Sequence, residues 1–77
     1  MSYNGHKNWQ YWNVSLWLNN DEGLYRCMQD AIRQTRRNRT KAAKLMLEWL
    51  SWSNPKLKTP DGASYSIDKI RRAMVGL

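Results

Sequence analysis

The stretch from Trp12 to Tyr25, Trp-Asn-Val-Ser-Leu-Trp-Leu-Asn-Asn-Asp-Glu-Gly-Leu-Tyr, constrains the fold of this chain more than any other. It couples an aromatic segment of helical spacing to the start of a second helix. From Trp9 to about Asn19, the residues Trp9, Trp12 and Leu16 fall at i, i+3 and i+7, and Val14, Trp17 and Leu18 widen the apolar arc. Trp12 to Leu18 also alternates apolar and polar residues, as a strand would. No second segment of similar alternation offers such a strand a partner, so the helix is the preferred reading, with Asn8 as its N-cap. Asn19-Asn20 interrupts the pattern. Asn20 or Asp21 can then cap a second helix, whose Asp21 and Glu22 suit the positive helix end.

Leu24, Cys27, Met28, Ala31 and Thr35 form the apolar stripe of that second helix at 3–4 spacing. Glu22 and Arg26 make a correctly oriented i, i+4 pair, worth about 0.2–0.5 kcal/mol. Asp30 can pair with Arg26 or Arg33. The following segment, Gln34 to Thr40, contains no Gly or Pro, so one helix over residues 21–52, about 48 Å long, is possible. Arg39 breaks the apolar stripe, Asn38 tolerates a left-handed helix end, and Thr40 can cap a new start. A break near Asn38 is therefore expected.

The third helix, Thr40 to about Trp52, buries Ala42, Ala43, Met46, Trp49 and Leu50 and presents Arg37, Lys41, Lys44 and Glu48 on the other side. Ser53-Asn54-Pro55 ends it, because the residue before proline avoids the helical region. Thr59-Pro60-Asp61-Gly62 is a turn, with Pro presetting one dihedral and Gly supplying positive φ. Ser66 caps a last helix carrying Asp68 in its first turn and the stripe Ile67, Ile70, Met74 and Leu77. The expected fold is all-α, a compact bundle of about four short amphipathic helices, with residues 1–8 a flexible lead and 9–77 one domain.

A chain of 77 residues has room for one small core, which five tryptophans with several Leu, Met and Ile residues are expected to enlarge. Its single Cys permits no intramolecular disulfide and suits a reducing compartment; beside Leu24, Met28 and Ala31, Cys27 reads as a packing residue. The N-terminal residues lack the apolar run of about 7–15 that secretion needs, and no segment nears the roughly 20 apolar residues of a membrane span. The expected location is the cytoplasm, without membrane association.

The block Trp-Asn-Val-x-Leu-Trp-Leu-x-Asn-Asp-Glu-Gly-Leu-Tyr resembles a family of small, mostly phage-encoded proteins of unknown function. The likeness runs from about Asn8 to Tyr25 and weakly through Thr59-Pro60-Asp61-Gly62. Where members of that family show Glu-Thr before the Trp-Asn pair, this chain has Gln10-Tyr11. The resemblance implies a viral origin and carries over no activity.

Enzymatic chemistry has few candidate groups. His6 is the only histidine and falls in the expected lead, away from any scaffold that could orient a nucleophile. One Cys and one His cannot supply a zinc site. Asp21-Glu22 reads as helix-start charge rather than an acid pair or a metal pair, and Gly23 and Gly62 are isolated, so there is no glycine-rich phosphate loop. The expectation is a protein that is not an enzyme and has no cofactor.

Charge is the positive signal. Of the formal net charge of +7, residues 26–58 carry nine basic against two acidic side chains. Arg33, Arg36, Arg37, Arg39, Lys41 and Lys44 place six cations within twelve residues, with no acidic residue inside that window. Such a cluster suits an acidic macromolecule as partner. One reading is a host protein or nucleoprotein, occupied and inhibited as anti-CRISPR proteins occupy a host defence nucleoprotein. The alternative is DNA or RNA held by its phosphates without sequence preference, with Trp52, and less readily Tyr25 or Trp49, stacking on bases. A membrane-surface helix is disfavoured by Pro55 and the Asp61-Gly62 turn.

Overall fold

Capping chemistry decides where each helix begins. In the computed structural model, which describes residues 8–75, the Asn8 side chain accepts the Tyr11 N–H at 3.2 Å and starts α1, Trp9–Asn20. Asp21 accepts the Leu24 N–H at 3.0 Å and starts α2, Glu22–Gln34. Asn38 accepts the Lys41 N–H at 3.1 Å and starts α3, Arg39–Ser53. Ser66 accepts the Lys69 N–H at 3.3 Å and starts α4, Ile67–Ala73. Each side chain satisfies an amide that a helix start leaves without a partner, at typically about 1 kcal/mol. The strand reading of Trp12–Leu18 is thereby overturned. The caps are Asp21 rather than Asn20, and Asn38 rather than Thr40.

Between α2 and α3 the left-handed backbone lies at Arg36 (φ 54°) and Arg37 (φ 65°), while Asn38 is extended. The Arg37 N–H donates to the Ile32 carbonyl at 2.8 Å and the Arg36 N–H to the Arg33 carbonyl at 3.3 Å. This is the Schellman pairing, which usually places glycine where Arg36 stands. The expected break is present, and it falls one to two residues before Asn38.

The four helices close a ring, α1 touching α2 and α4, and α3 touching α2 and α4. Inside lie Val14 and Leu18 of α1; Met28, Ala31 and Ile32 of α2; Ala42, Ala43, Met46 and Leu50 of α3; and Ile70, Ala73 and Met74 from α4 and its cap. The tryptophans do not form this core. Trp9 is 37% and Trp52 73% exposed, and Trp12, Trp17 and Trp49 are half-buried. The buried side of α1 is Val14 and Leu18 with Asn13, whereas the expected Trp9–Trp12–Leu16 stripe lies at its margin. Cys27 packs against the core as a free thiol.

The segment between α3 and α4 is ordered by a polar joint. The Gly62 N–H donates to the Thr59 carbonyl at 2.9 Å, with Pro60 second in the turn and Gly62 at φ 95°. The Thr59 N–H donates to the Ala63 carbonyl and the Tyr65 N–H to the Leu57 carbonyl, each at 2.7 Å, around an isolated Lys58–Ser64 bridge. Thr59, Ala63 and Tyr65 are buried. The Thr59 hydroxyl donates to Asn13 Oδ1 at 2.6 Å, and Asn13 Nδ2 and Trp17 Nε1 each donate to Asp61 Oδ2 at 2.9 Å. Those donors, Asn13 first and Trp17 second, hold the Asp61 carboxyl below its ordinary pKa.

A second polar seam joins α1 to α4. Lys69 Nζ donates to Gln10 Oε1 at 2.6 Å and to the hydroxyl and carbonyl of Ser64 at 2.8 and 3.1 Å. The Tyr11 hydroxyl donates to Asp68, and that bond, followed by burial, raises the Tyr11 pKa. Gln10-Tyr11, where the resembling family has Glu-Thr, is therefore part of the α1–α4 seam. Among the described residues no helix is long and apolar enough to cross a membrane. His6, Leu77 and the reading of residues 1–7 as a flexible lead fall outside the described residues.

Candidate functional site

The six expected cations separate into three environments. Arg33, in the last turn of α2, donates to Asp30 Oδ1 at 2.6 Å, so it has the carboxylate neighbour that the window starting at Arg33 leaves out. Arg39, the first residue of α3, is exposed and donates from Nε to the Met74 carbonyl at 3.3 Å, which ties it to the C-terminus of α4. Arg36, Arg37, Lys41 and Lys44 are exposed, and none of them pairs with a carboxylate of the described residues. The surface that remains is the α2–α3 turn and the first two turns of α3.

This arrangement carries local costs. Left-handed backbone costs an L-residue about 1–2 kcal/mol, and two adjacent arginines adopt it here. The first turn of α3 carries no acidic residue. Its cations sit at the positive end of the macrodipole, where carboxylates are the favoured neighbours. The first feature is a steric cost to the turn, and the second raises the local positive potential at some expense to α3.

The turn also shapes a concavity. Gln29, Ile32 and Arg33 share a side of α2, and the left-handed turn folds Arg37 back beside them around a cleft of about 390 Å³. Gln29 and Ile32 are site residues that the charge pattern does not reveal. Their signal in the sequence is only the i, i+3, i+4 spacing with Arg33, which any helix contains. Guanidinium groups so placed can bind carboxylate or phosphate bidentately.

The candidate stacking residues lie elsewhere. Trp52 is exposed but eight residues beyond Lys44, about 12 Å along α3, with Glu48 exposed between them. Tyr25 and Trp49 are half-buried against the core. The structure does not bring these aromatics to the cationic turn. Of the other acidic candidates, Asp21 is a cap and Glu22 pairs with Arg26 at 2.6 Å. Among the described residues no three His, Cys, Asp or Glu side chains gather where a metal ion could be held.

Compared with curated proteins and with solved structures, the chain finds no match. Residues 1–75 match the model of a protein family, and so this chain is a member of DUF7249, a family of unknown function.

Proposed function

We propose that this protein is a binding module that docks an acidic host protein or nucleoprotein through the α2–α3 turn and the outer side of α3, and thereby inhibits or modulates it. The observation that carries the reading is the pair Arg36 and Arg37, exposed, unpaired and held in left-handed backbone beside a helix start crowded with Lys41 and Lys44. Backbone strain of this kind persists only where the surrounding structure over-determines it, and it clusters at binding sites and ligand clamps. The concave cleft beside Arg37 favours a partner that presents discrete side chains over a uniform polyanion. The resemblance to small phage-encoded proteins adds support by likeness alone, and on that likeness the host partner would be met in the host cytoplasm.

A second reading, DNA or RNA binding without sequence preference, is favoured by the lack of carboxylates around Arg36, Arg37, Lys41 and Lys44. With four phosphate contacts the salt slope is about −3.6, so affinity falls about 10²-fold between about 50 and 200 mM salt. Labelled single- and double-stranded DNA and RNA, titrated by fluorescence anisotropy at those two concentrations, separate the readings. Micromolar binding with that salt dependence moves the conclusion to nucleic acid. No binding at the lower salt, together with capture of a host protein by the native chain but not by a variant with Arg36, Arg37, Lys41 and Lys44 changed to Glu, supports the protein target. Capture that survives the charge reversal sinks the cationic-surface reading.

A further inference from the structure

The cleft at the end of α2 has a composition that narrows what can enter it. Arg33 and Arg37 flank it, Gln29 contributes an amide, and Ile32, 8% exposed, is its apolar floor. Arg37 reaches it only because the chain turns left-handed at Arg36 and Arg37 and anchors the Arg37 N–H on the Ile32 carbonyl at 2.8 Å. We infer that this cleft seats one carboxylate side chain, an aspartate or glutamate presented by an acidic segment of the protein partner. The inference rests on the docking reading above and gives that surface its anchor point.

Three features select a carboxylate on a carbon stem. The side chains of Arg33, Arg37 and Gln29 line the cleft and between them carry two guanidinium groups and an amide, N–H donors of the kind a carboxylate accepts. The Ile32 side chain gives the methylene groups of an acidic side chain an apolar surface directly beneath its carboxylate, whereas in a phosphodiester the charged oxygens are separated from the nearest carbons by an ester linkage. Asp30 stands at the rim with its carboxylate on one Arg33 nitrogen at 2.6 Å, leaving the other Arg33 donors for a ligand. A nucleic-acid backbone running past the rim would meet that carboxylate with charge of the same sign. A protein segment meets it with a single acidic residue and can place a neutral or basic neighbour opposite Asp30.

The test uses the full-length chain and a fluorescein-labelled glutamate–alanine peptide, read by anisotropy at low salt, with a labelled oligothymidylate in parallel. Gln29→Glu puts an internal carboxylate four residues before Arg33, in the favourable i, i+4 orientation, and so fills the cleft from within. Gln34→Glu makes the same change of net charge on an exposed residue outside the cleft. Thermal melts establish that both variants fold. Gln29→Glu is expected to weaken peptide binding at least about tenfold, the scale of one lost charged hydrogen bond, with Gln34→Glu changing it less than about twofold. Equal effects of the two substitutions overturn the cleft while leaving the cationic surface standing, provided that Lys41→Glu with Lys44→Glu abolishes binding. If that double variant also leaves binding unchanged, both readings fail. Absence of peptide binding to the native chain, or oligothymidylate binding that Gln29→Glu weakens, overturns the carboxylate assignment.

Discussion

Asn13 on α1 and Asp61 in the turn before α4, 48 residues apart in sequence, share a hydrogen bond of 2.9 Å from Asn13 Nδ2 to Asp61 Oδ2. The other end of the same amide accepts the Thr59 hydroxyl at 2.6 Å, and Thr59 Oγ1 in turn accepts the Ala63 N–H at 3.0 Å. Asn13 and Thr59 are 1% and 4% exposed, so water cannot replace these bonds. The Trp-Asn block and the Thr-Pro-Asp-Gly turn are thus halves of one tertiary joint. That joint is structural and lies on different elements from the cationic turn.

Asn13→Ala is expected to lower unfolding stability by about 1–3 kcal/mol, the cost of leaving a buried polar partner unsatisfied. Thr59→Val should cost a similar amount, and the two together less than their sum, because each removes the same bond. Urea denaturation of the two single variants and the double variant measures the coupling. Strict additivity would show that the joint does not act as a unit.

Acid should loosen the same joint. The Asp61 carboxyl is held below its ordinary pKa of 3.8 by the Asn13 amide and then the Trp17 indole, with burial opposing. Across that interval the folded chain binds fewer protons than the unfolded chain. The Asp61 contribution is therefore present above about pH 4 and is lost as the pH falls through the folded-state value. Thermal melts from neutral pH down to about pH 2 should show a shallower decline for Asp61→Asn than for the native chain. Parallel declines would remove Asp61 from the account.

At the α2–α3 turn, stability and binding should move in opposite directions. Arg36→Gly removes the Cβ penalty of left-handed backbone and adds chain entropy to the unfolded state, for a net gain of about 0.5–1 kcal/mol. For a domain of this size the melting temperature rises by about 2–8 °C. Retention on a heparin column should fall in the same variant. A lower melting temperature would show that the Arg36 side chain supports the fold.

Ile70 and Trp52 give a contrast in packing. A helix of seven residues is not stable alone, so α4 is held by its buried side, where Ile70 is fully covered. Ile70→Ala is expected to cost about 2–5 kcal/mol in chemical denaturation. Trp52→Ala, at a side chain 73% exposed, should change stability by less than about 0.5 kcal/mol. A larger loss at Trp52 would mean that its ring covers core that its exposure does not reveal.

Local chemistry in the sequence determined the helices and their starts. Asn8 and Ser66 cap where they were expected, because an N-cap acts on amides two or three residues away. Ala42, Ala43, Met46 and Leu50 are buried as their spacing implies, and the Thr59–Gly62 turn forms where Pro and Gly permit it. The break after α2 was legible from the broken stripe at Arg39. Its geometry was not, because left-handed arginines run against intrinsic preference and are stabilised by bonds to Ile32 and Arg33 that exist only once α2 has formed.

Tertiary structure decided which apolar side chains count as core and which cations are available. The tryptophans moved to the margin because helix spacing allows several burial arcs, and contact with α2 and α4 selects the one through Val14 and Leu18. Arg39 is tied to the end of α4, 35 residues away, because the Met74 carbonyl there accepts its Nε. Gln29 and Ile32 joined the site because the turn folds Arg37 back over α2. A sequence displays charge and period along one dimension, whereas availability and concavity depend on which distant groups become neighbours.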